Sequence, residues 1–297
     1  MTTDSLRDVT RVMETLTPEQ NQMLDQWGRQ VQSLVSTAVE QGGPAGRRLK
    51  NWLNGVWLGH ALHPALTDVP IGAWFTGAML DLVGASREAD AAMTVGVLAA
   101  VPTALAGLAD WADAGDEPRR VGFVHAVLNS VGLGCMVGSL FARRADQRAL
   151  GIGLSTTGLA LATVSAWLGG DLVYRLGTNV TRIAFQPGVP EFQVVARAEE
   201  LQEGKLTGVE ARVDGTSVPI VLLKRGATVM AISGTCTHWG GPLAEGKLLE
   251  GDCVQCPWHG TQFSMADGSV KQGPGAMHAR VFETRIRDGN VEVRSRD

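Results

Sequence analysis

Positive charge is in short supply in this 297-residue chain: 26 Lys and Arg stand against 30 Asp and Glu, a formal charge of −4. The arginines are scattered and form no basic stripe, so a nucleic-acid partner has no support. No complete phosphate-binding glycine loop and no nucleophile elbow occurs, which leaves nucleotide and acyl-transfer chemistry without their signatures. No basic-apolar-small leader pattern opens the chain. Cysteine and histidine are also scarce, with 4 and 6 residues. Where they gather is therefore informative.

Average hydropathy near zero hides two different halves. The stretches 91–109, 121–142 and 149–170 are each about as long as a bilayer requires and carry no formal charge. They are expected to be transmembrane helices. A weaker fourth candidate, 67–86, holds Asp68 and Asp81 but is rich in small residues, as membrane helix interfaces are. A soluble bundle is the alternative, and long uncharged runs of Gly, Ala and Thr argue against it. Before these spans, 16–40 has mixed polarity and opens with Thr17 as N-cap and Pro18 in the first turn. An interfacial amphipathic helix and a soluble packing helix both fit it.

From residue 189 the pattern changes to strands. Alternation over 192–196 and 206–213, a hairpin over 218–232 turned at Lys224-Arg225-Gly226, and two strands joined at Asp288-Gly289 predict a small antiparallel β domain. The expected organisation is an N-terminal helical segment (1–52), a four-helix transmembrane domain (53–177), a linker (178–188) and the β domain (189–297).

Inside the β domain, Cys236-Thr237-His238 and Cys256-Pro257-Trp258-His259 form a C-x-H pair and a C-x-x-H pair in glycine-flanked loops. Each loop supplies one thiolate and one imidazole. Two cysteines on one iron and two histidines on the other are what an asymmetric [2Fe-2S] centre needs. Tetrahedral zinc also takes two of each, but zinc modules usually repeat C-x-x-C knuckles. Cys253 makes such a spacing with Cys256, yet it reads as a packed thiol on a strand. Cys135 sits in an apolar helix, and His278 reads as a surface residue.

The strings C-T-H-W-G-G and C-P-W-H-G-T-Q-F resemble the Rieske family closely, over most of the β domain. That resemblance implies a [2Fe-2S] cluster on Cys236, His238, Cys256 and His259, and a role in electron transfer. Rieske proteins of quinol-oxidising complexes carry an extra cysteine pair as a disulfide, and the matching positions here are Gly241 and Trp258. They also place Ser and Tyr as donors to the sulfurs, where this chain has Thr261 and Phe263. The likeness is to ferredoxin-type and oxygenase-type domains. The bundle resembles an uncharacterised family of small bacterial four-helix membrane domains, on Gly59-His60-Ala61-Leu62-His63-Pro64, Asp68-Val69-Pro70-Ile71-Gly72, Asp81, His125 and Gly169-Gly170-Asp171-Leu172-Val173-Tyr174.

With four spans, His60, His63, Asp68, Asp110, His125, Asn129 and Asp171 all fall on the side that carries the β domain. Ionisable groups at membrane depth are costly and mark interiors or cofactors. His63 and His125 are expected either to hydrogen-bond between helices, or to ligate a haem b, or to bind a quinone. Asp81, near the other end, reads as an interfacial carboxylate reaching water, with a proton-relay acid as the alternative. Seven basic residues flank the spans on the β-domain side against four opposite, which predicts a multi-pass cell-membrane protein with its β domain in the cytoplasm.

Three functions fit: a membrane-anchored one-electron carrier between redox proteins or a quinone, a component of a Rieske oxygenase, and a membrane redox sensor. An oxygenase needs a two-histidine, one-carboxylate iron site, and no domain for one is recognisable. Whether the chain is itself an enzyme is left open. Because Phe263 cannot donate to a cluster sulfur, the midpoint potential is expected in the lower part of the Rieske range of about −150 to +300 mV. A redox titration of the purified protein checks this, and a value near the top of the range contradicts it.

Overall fold

The computed structural model describes residues 16–296; most of the chain's opening, where no leader pattern is read, lies outside them. The chain divides into two compact units. One joins Leu62–Thr178 to the described residues up to Gly46, and the other joins Arg47–Ala61 to the chain from Asn179 onward. Residues 47–61, which the sequence reading divides between an N-terminal segment and the bundle, thus group with the β domain.

The helical unit begins with α1 (Pro18–Gln41). Thr17 and Gln20 cap it reciprocally, each side chain accepting from the other's backbone N–H at 3.3 and 2.8 Å, and Pro18 occupies a first-turn position that needs no donor. After α2 (Gly43–Leu53) come α3 (Leu62–Leu82), α4 (Ser86–Trp111), α5 (Asp116–Arg144) and α6 (Arg148–Tyr174). The first helix packs on the end of this bundle. Buried Gln32 donates to the carbonyls of Trp111 and Ala114 at 2.9 and 2.8 Å, and Asp25 pairs with Arg119 and Arg120.

Helices α4, α5 and α6 are long and apolar enough to cross a membrane. Helix α3 has the length, 21 residues, but His63, Pro64, Asp68, Pro70 and Asp81 lower its hydropathy. The fourth span is therefore not confirmed by composition. Large apolar side chains such as Phe75, Leu82, Leu98 and Phe141 face outward, while the interior is built from Trp74, Met93, Met136, Ala100 and Ala162. Small residues bring helices close: a Cβ on Gly158 would lie 2.8 Å from the Gly132 carbonyl. Pro70 leaves the Leu66 carbonyl without its helical donor, and the Thr103 hydroxyl donates to it at 3.3 Å.

The bundle is a duplicated hairpin. The features around the turn between α3 and α4 recur 62 residues later between α5 and α6: the helix ends Leu82 and Arg144, the helix starts Ser86 and Arg148, and the left-handed turn residues Gly84 and Asp146. The sequence keeps His63/His125, Leu66/Leu128, Gly72/Gly134, Gly96/Gly158, Ala100/Ala162 and Gly107/Gly169 at the same offset. Such parallel repeats are related by a pseudo-two-fold axis along the bundle, so equivalent residues near it meet one another. Asp81 and Arg143 are one such pair. They bind at 2.5 Å with side chains 5% and 1% exposed, joined by Arg148 at 2.6 Å from Asp81 and by Asp90 at 2.9 Å from Arg143. The expectation that Asp81 is an interfacial carboxylate reaching water is thereby corrected, because the repeat places an arginine opposite it.

The other unit contains two antiparallel sheets. The larger has the order β1-β10-β9-β4-β3-β2, from β1 (Gln193–Arg197), β2 (Leu206–Val213), β3 (Thr216–Arg225), β4 (Thr228–Ser233), β9 (Val281–Arg287) and β10 (Asn290–Ser295). The smaller runs β5-β6-β7-β8, from β5 (Lys247–Leu249), β6 (Cys253–Gln255), β7 (Gln262–Ser264) and β8 (Val270–Gln272). Asp288 and Gly289 both take positive φ, as a two-residue hairpin turn requires. Between the sheets lies a core of Val221, Leu223, Ile232, Leu243, Val254 and Phe263, and the two loop cysteines are part of it.

Removing one partner of a buried ion pair leaves the other charge uncompensated. Arg143→Ala should therefore lower stability by about 3–5 kcal/mol, with the Asp81→Ala, Arg143→Ala double variant losing less than the two single losses combined. Thermal unfolding in detergent reads this out; an R143A protein melting like the parent would contradict it.

Candidate metal centre

Two loops project from the ends of short strands, and they close in the same way. Cys236 N–H donates to the Gly241 carbonyl (2.9 Å) and its own carbonyl accepts from Gly240 (3.0 Å); Cys256 N–H donates to Thr261 (2.8 Å) and its carbonyl accepts from Gly260 (3.1 Å). Gly240 and Gly260 have φ of +83° and +78°, a conformation that side-chain-bearing residues rarely adopt. The two loops are thus near copies that face each other.

Facing copies bring like donors together. The Cys236 and Cys256 thiols are hydrogen-bonded to one another, and backbone amides are aimed at each: those of His238 and Trp239 at Cys236, those of Trp258 and His259 at Cys256. The His238 and His259 rings lie 5.1 Å apart and nearly perpendicular. As free thiols the cysteines share one proton. The hydrogen bond from Cys236 and the loop amides bring Cys256 down to about 6, while the same bond and burial push Cys236 up. Burial, then the neighbouring His259, Lys50 and Arg182, hold His238 down at about 3, so its imidazole is neutral. Iron takes sulfur as thiolate and imidazole in its neutral form, so the proton shared by the cysteines leaves when metal binds, and His238 is already in the form required.

His238 Nδ1 is buried and has no hydrogen-bond partner among the described residues. A buried nitrogen lone pair left in this way fits an iron ligand.

Neighbouring positions set the shape of the site. A Cβ on Gly241 would lie 2.7 Å from Cys256 Sγ and 3.1 Å from the Trp258 ring, so that position holds room next to the thiol. The Thr261 hydroxyl accepts from Gly275 N–H at 3.0 Å, and Phe263 is wholly buried as a core residue. Cys253 is half-buried with its thiol on the Gly251 carbonyl (3.7 Å), Cys135 lies on α5, and His278 is exposed. His259 is exposed, whereas His238 is 5% exposed.

The cover over His238 was not legible in the sequence. Arg182 N–H donates to the Thr237 carbonyl at 3.1 Å and its guanidinium stacks over Trp239 at 4.5 Å. Asn51 Oδ1 accepts from Gly273 N–H at 3.0 Å, which ties the 47–61 segment to the loop beside Thr261. No spacing rule links residues 51, 182 and 238. The sequence-derived pair His63 and His125, in the helical unit, is brought together: ring centroids are 6.3 Å apart. His60 is not part of that pair; its Nδ1 lies 3.0 Å from the Ala61 carbonyl.

Residues 191–283 match the family model described as Rieske [2Fe-2S] domain, and residues 59–182 match that described as predicted membrane protein (DUF2231). Ferredoxin CarAc of Metapseudomonas resinovorans is 33% identical over 99 residues, covering 33% of this chain and 89% of that protein. The anthranilate 1,2-dioxygenase ferredoxin subunit of Burkholderia cepacia is 37% identical over 83 residues, covering 28% and 75%. A solved complex of reduced oxygenase and oxidized ferredoxin in carbazole 1,9a-dioxygenase contains a chain 32% identical, with a TM-score of 0.31, covering 34% of this chain and 99% of that one.

Because the Gly241 position abuts Cys256 Sγ, Gly241→Ala should reduce cluster occupancy several-fold, whereas Cys253→Ser should leave it unchanged. Iron and acid-labile sulfide per chain measure both; full occupancy in G241A would contradict the packing argument.

Proposed function

This chain belongs to the Rieske [2Fe-2S] family through its C-terminal third, and from that premise we propose that it is a membrane-anchored one-electron carrier. Cys236 and Cys256 hold one iron of the cluster and His238 and His259 hold the other. The observation that carries this reading is the sorting of donors by type, thiol against thiol and imidazole against imidazole, by two loops of the same form. When bound, the cluster supplies reversible one-electron chemistry. The protein's part is to neutralise, orient and shield. Loop amides support the thiolates, Gly241 leaves room at Cys256, and Phe263 closes the core beneath without giving a hydrogen bond.

The exposed His259 and Trp258 form the edge at which a redox partner docks. One relative is named a ferredoxin and another an anthranilate 1,2-dioxygenase ferredoxin subunit, which supports soluble redox proteins, a reductase on one side and an oxygenase-type acceptor on the other, as the partner class. An oxygenase reaction needs a two-histidine, one-carboxylate iron site, and the sequence carries no recognisable domain for one.

Four spans complete the proposal. The repeat makes α3 the counterpart of α5, which is long and apolar enough to cross, and the arginines of the minority side include Arg143 and Arg148, already paired with Asp81 and Asp90. Both points support a cytoplasmic β domain under the positive-inside rule.

Detergent-purified protein should show cluster absorption that bleaches with dithionite and a paramagnetic signal in the reduced state. Cys236→Ser and His259→Ala should each abolish both. A C-terminal protease-sensitive tag should resist cleavage in intact cells. A protein that binds zinc in place of iron and sulfide would sink the assignment.

A further inference from the structure

The duplicated hairpin places His63 and His125 at the same repeat position, and their surroundings are duplicated too. The His63 Nδ1 lies 2.8 Å from the carbonyl of Thr103, and the His125 Nδ1 lies 2.7 Å from the carbonyl of Ser165, each partner 40 residues on in the following helix. A carbonyl only accepts, so in both rings Nδ1 carries the hydrogen and Nε2 keeps its lone pair. A glycine makes room for each ring: a Cβ on Gly107 would meet His63 at 2.7 Å, and one on Gly169 would meet His125 at 3.3 Å. Thr103 and Ser165, like Gly107 and Gly169, are again 62 residues apart. The hydroxyl of Ser165 donates back to the His125 carbonyl at 2.9 Å, tying α5 to α6 at that level.

The geometry points to an axial pair of imidazoles for one haem, held on the pseudo-two-fold axis of the bundle. Three observations converge. An imidazole that donates Nδ1–H to a carbonyl is oriented and made more basic at Nε2, as metal-ligating histidines are. The ring centroids are 6.3 Å apart and the planes 87° from parallel; two metal–nitrogen bonds of about 2 Å each plus two half-rings give a separation of about 6 Å. Finally, the described residues offer no third His, Cys, Asp or Glu to the pair. A bare transition-metal ion needs three or four protein donors, whereas haem brings four nitrogens and needs only two axial ones. Asn129 Nδ2 donates to His125 Nε2 at 3.1 Å, so this amide must turn aside when the iron binds.

The site goes beyond the cluster reading and is tested apart from it, because haem and cluster have separate spectra. Full-length protein in detergent is titrated with haemin. The expected result is a Soret band saturating at one haem per chain, with a low-spin ferrous spectrum after dithionite. His63→Ala and His125→Ala should each lose that low-spin spectrum, His125→Met should keep haem with a shifted spectrum, and Asn129→Ala should bind at least as tightly as the parent. Cys256→Ser should lose the cluster signals and keep the Soret band. No saturable Soret band in the parent overturns the proposal. So does a band that survives unchanged in both alanine variants, or a bound metal without porphyrin.

Discussion

Two loops that fold as copies and face one another are the constraint on which the metal centre depends. Each loop contributes a cysteine and a histidine, so a single loop can only mix donor types. Facing the copies sorts them, setting thiol beside thiol and imidazole beside imidazole. The hydrogen bond between the thiols shows how close the sulfurs are brought, and the amides directed at them show that negative charge is provided for. The left-handed glycines and the space at Gly241 follow from this arrangement, since the backbone must turn sharply and approach the sulfur closely.

The helical unit applies the same physical idea at another scale. A duplicated hairpin related by a pseudo-two-fold axis makes equivalent positions into neighbours. At one level the equivalent residues are alike, His63 and His125. At another they are complementary, Asp81 and Arg143, and these close an ion cluster with Asp90 and Arg148. Charges at that depth are tolerable only when paired, so the pairing is a condition for the bundle to exist in lipid.

Much of the β domain was legible beforehand. The strand over Leu206–Val213 and the turn at Asp288-Gly289 stand where alternation and turn chemistry put them, because antiparallel pairing with one buried face writes itself into a period of two. The capped start of α1 was legible for the same local reason. The three helices long and apolar enough to cross a membrane were legible as apolar runs, whereas prolines, aspartates and a histidine dilute that signal in α3. The repeat was also in the sequence, as a weak self-match at one offset, and its few shared residues are too dispersed to stand out without the helix boundaries.

Taken by itself, the sequence determined the cofactor class, since the choice of thiol and imidazole donors and their spacing within each loop are local properties. Tertiary structure alone decided what surrounds those donors. Arg182 and Asn51 reach the cluster loops from segments far away in the chain, and Arg143 reaches Asp81 from another helix. Burial then made His238 and His259 unequal, one covered and one exposed. Ligand identity is carried by residue type, whereas proximity across hundreds of residues is settled only when the chain packs.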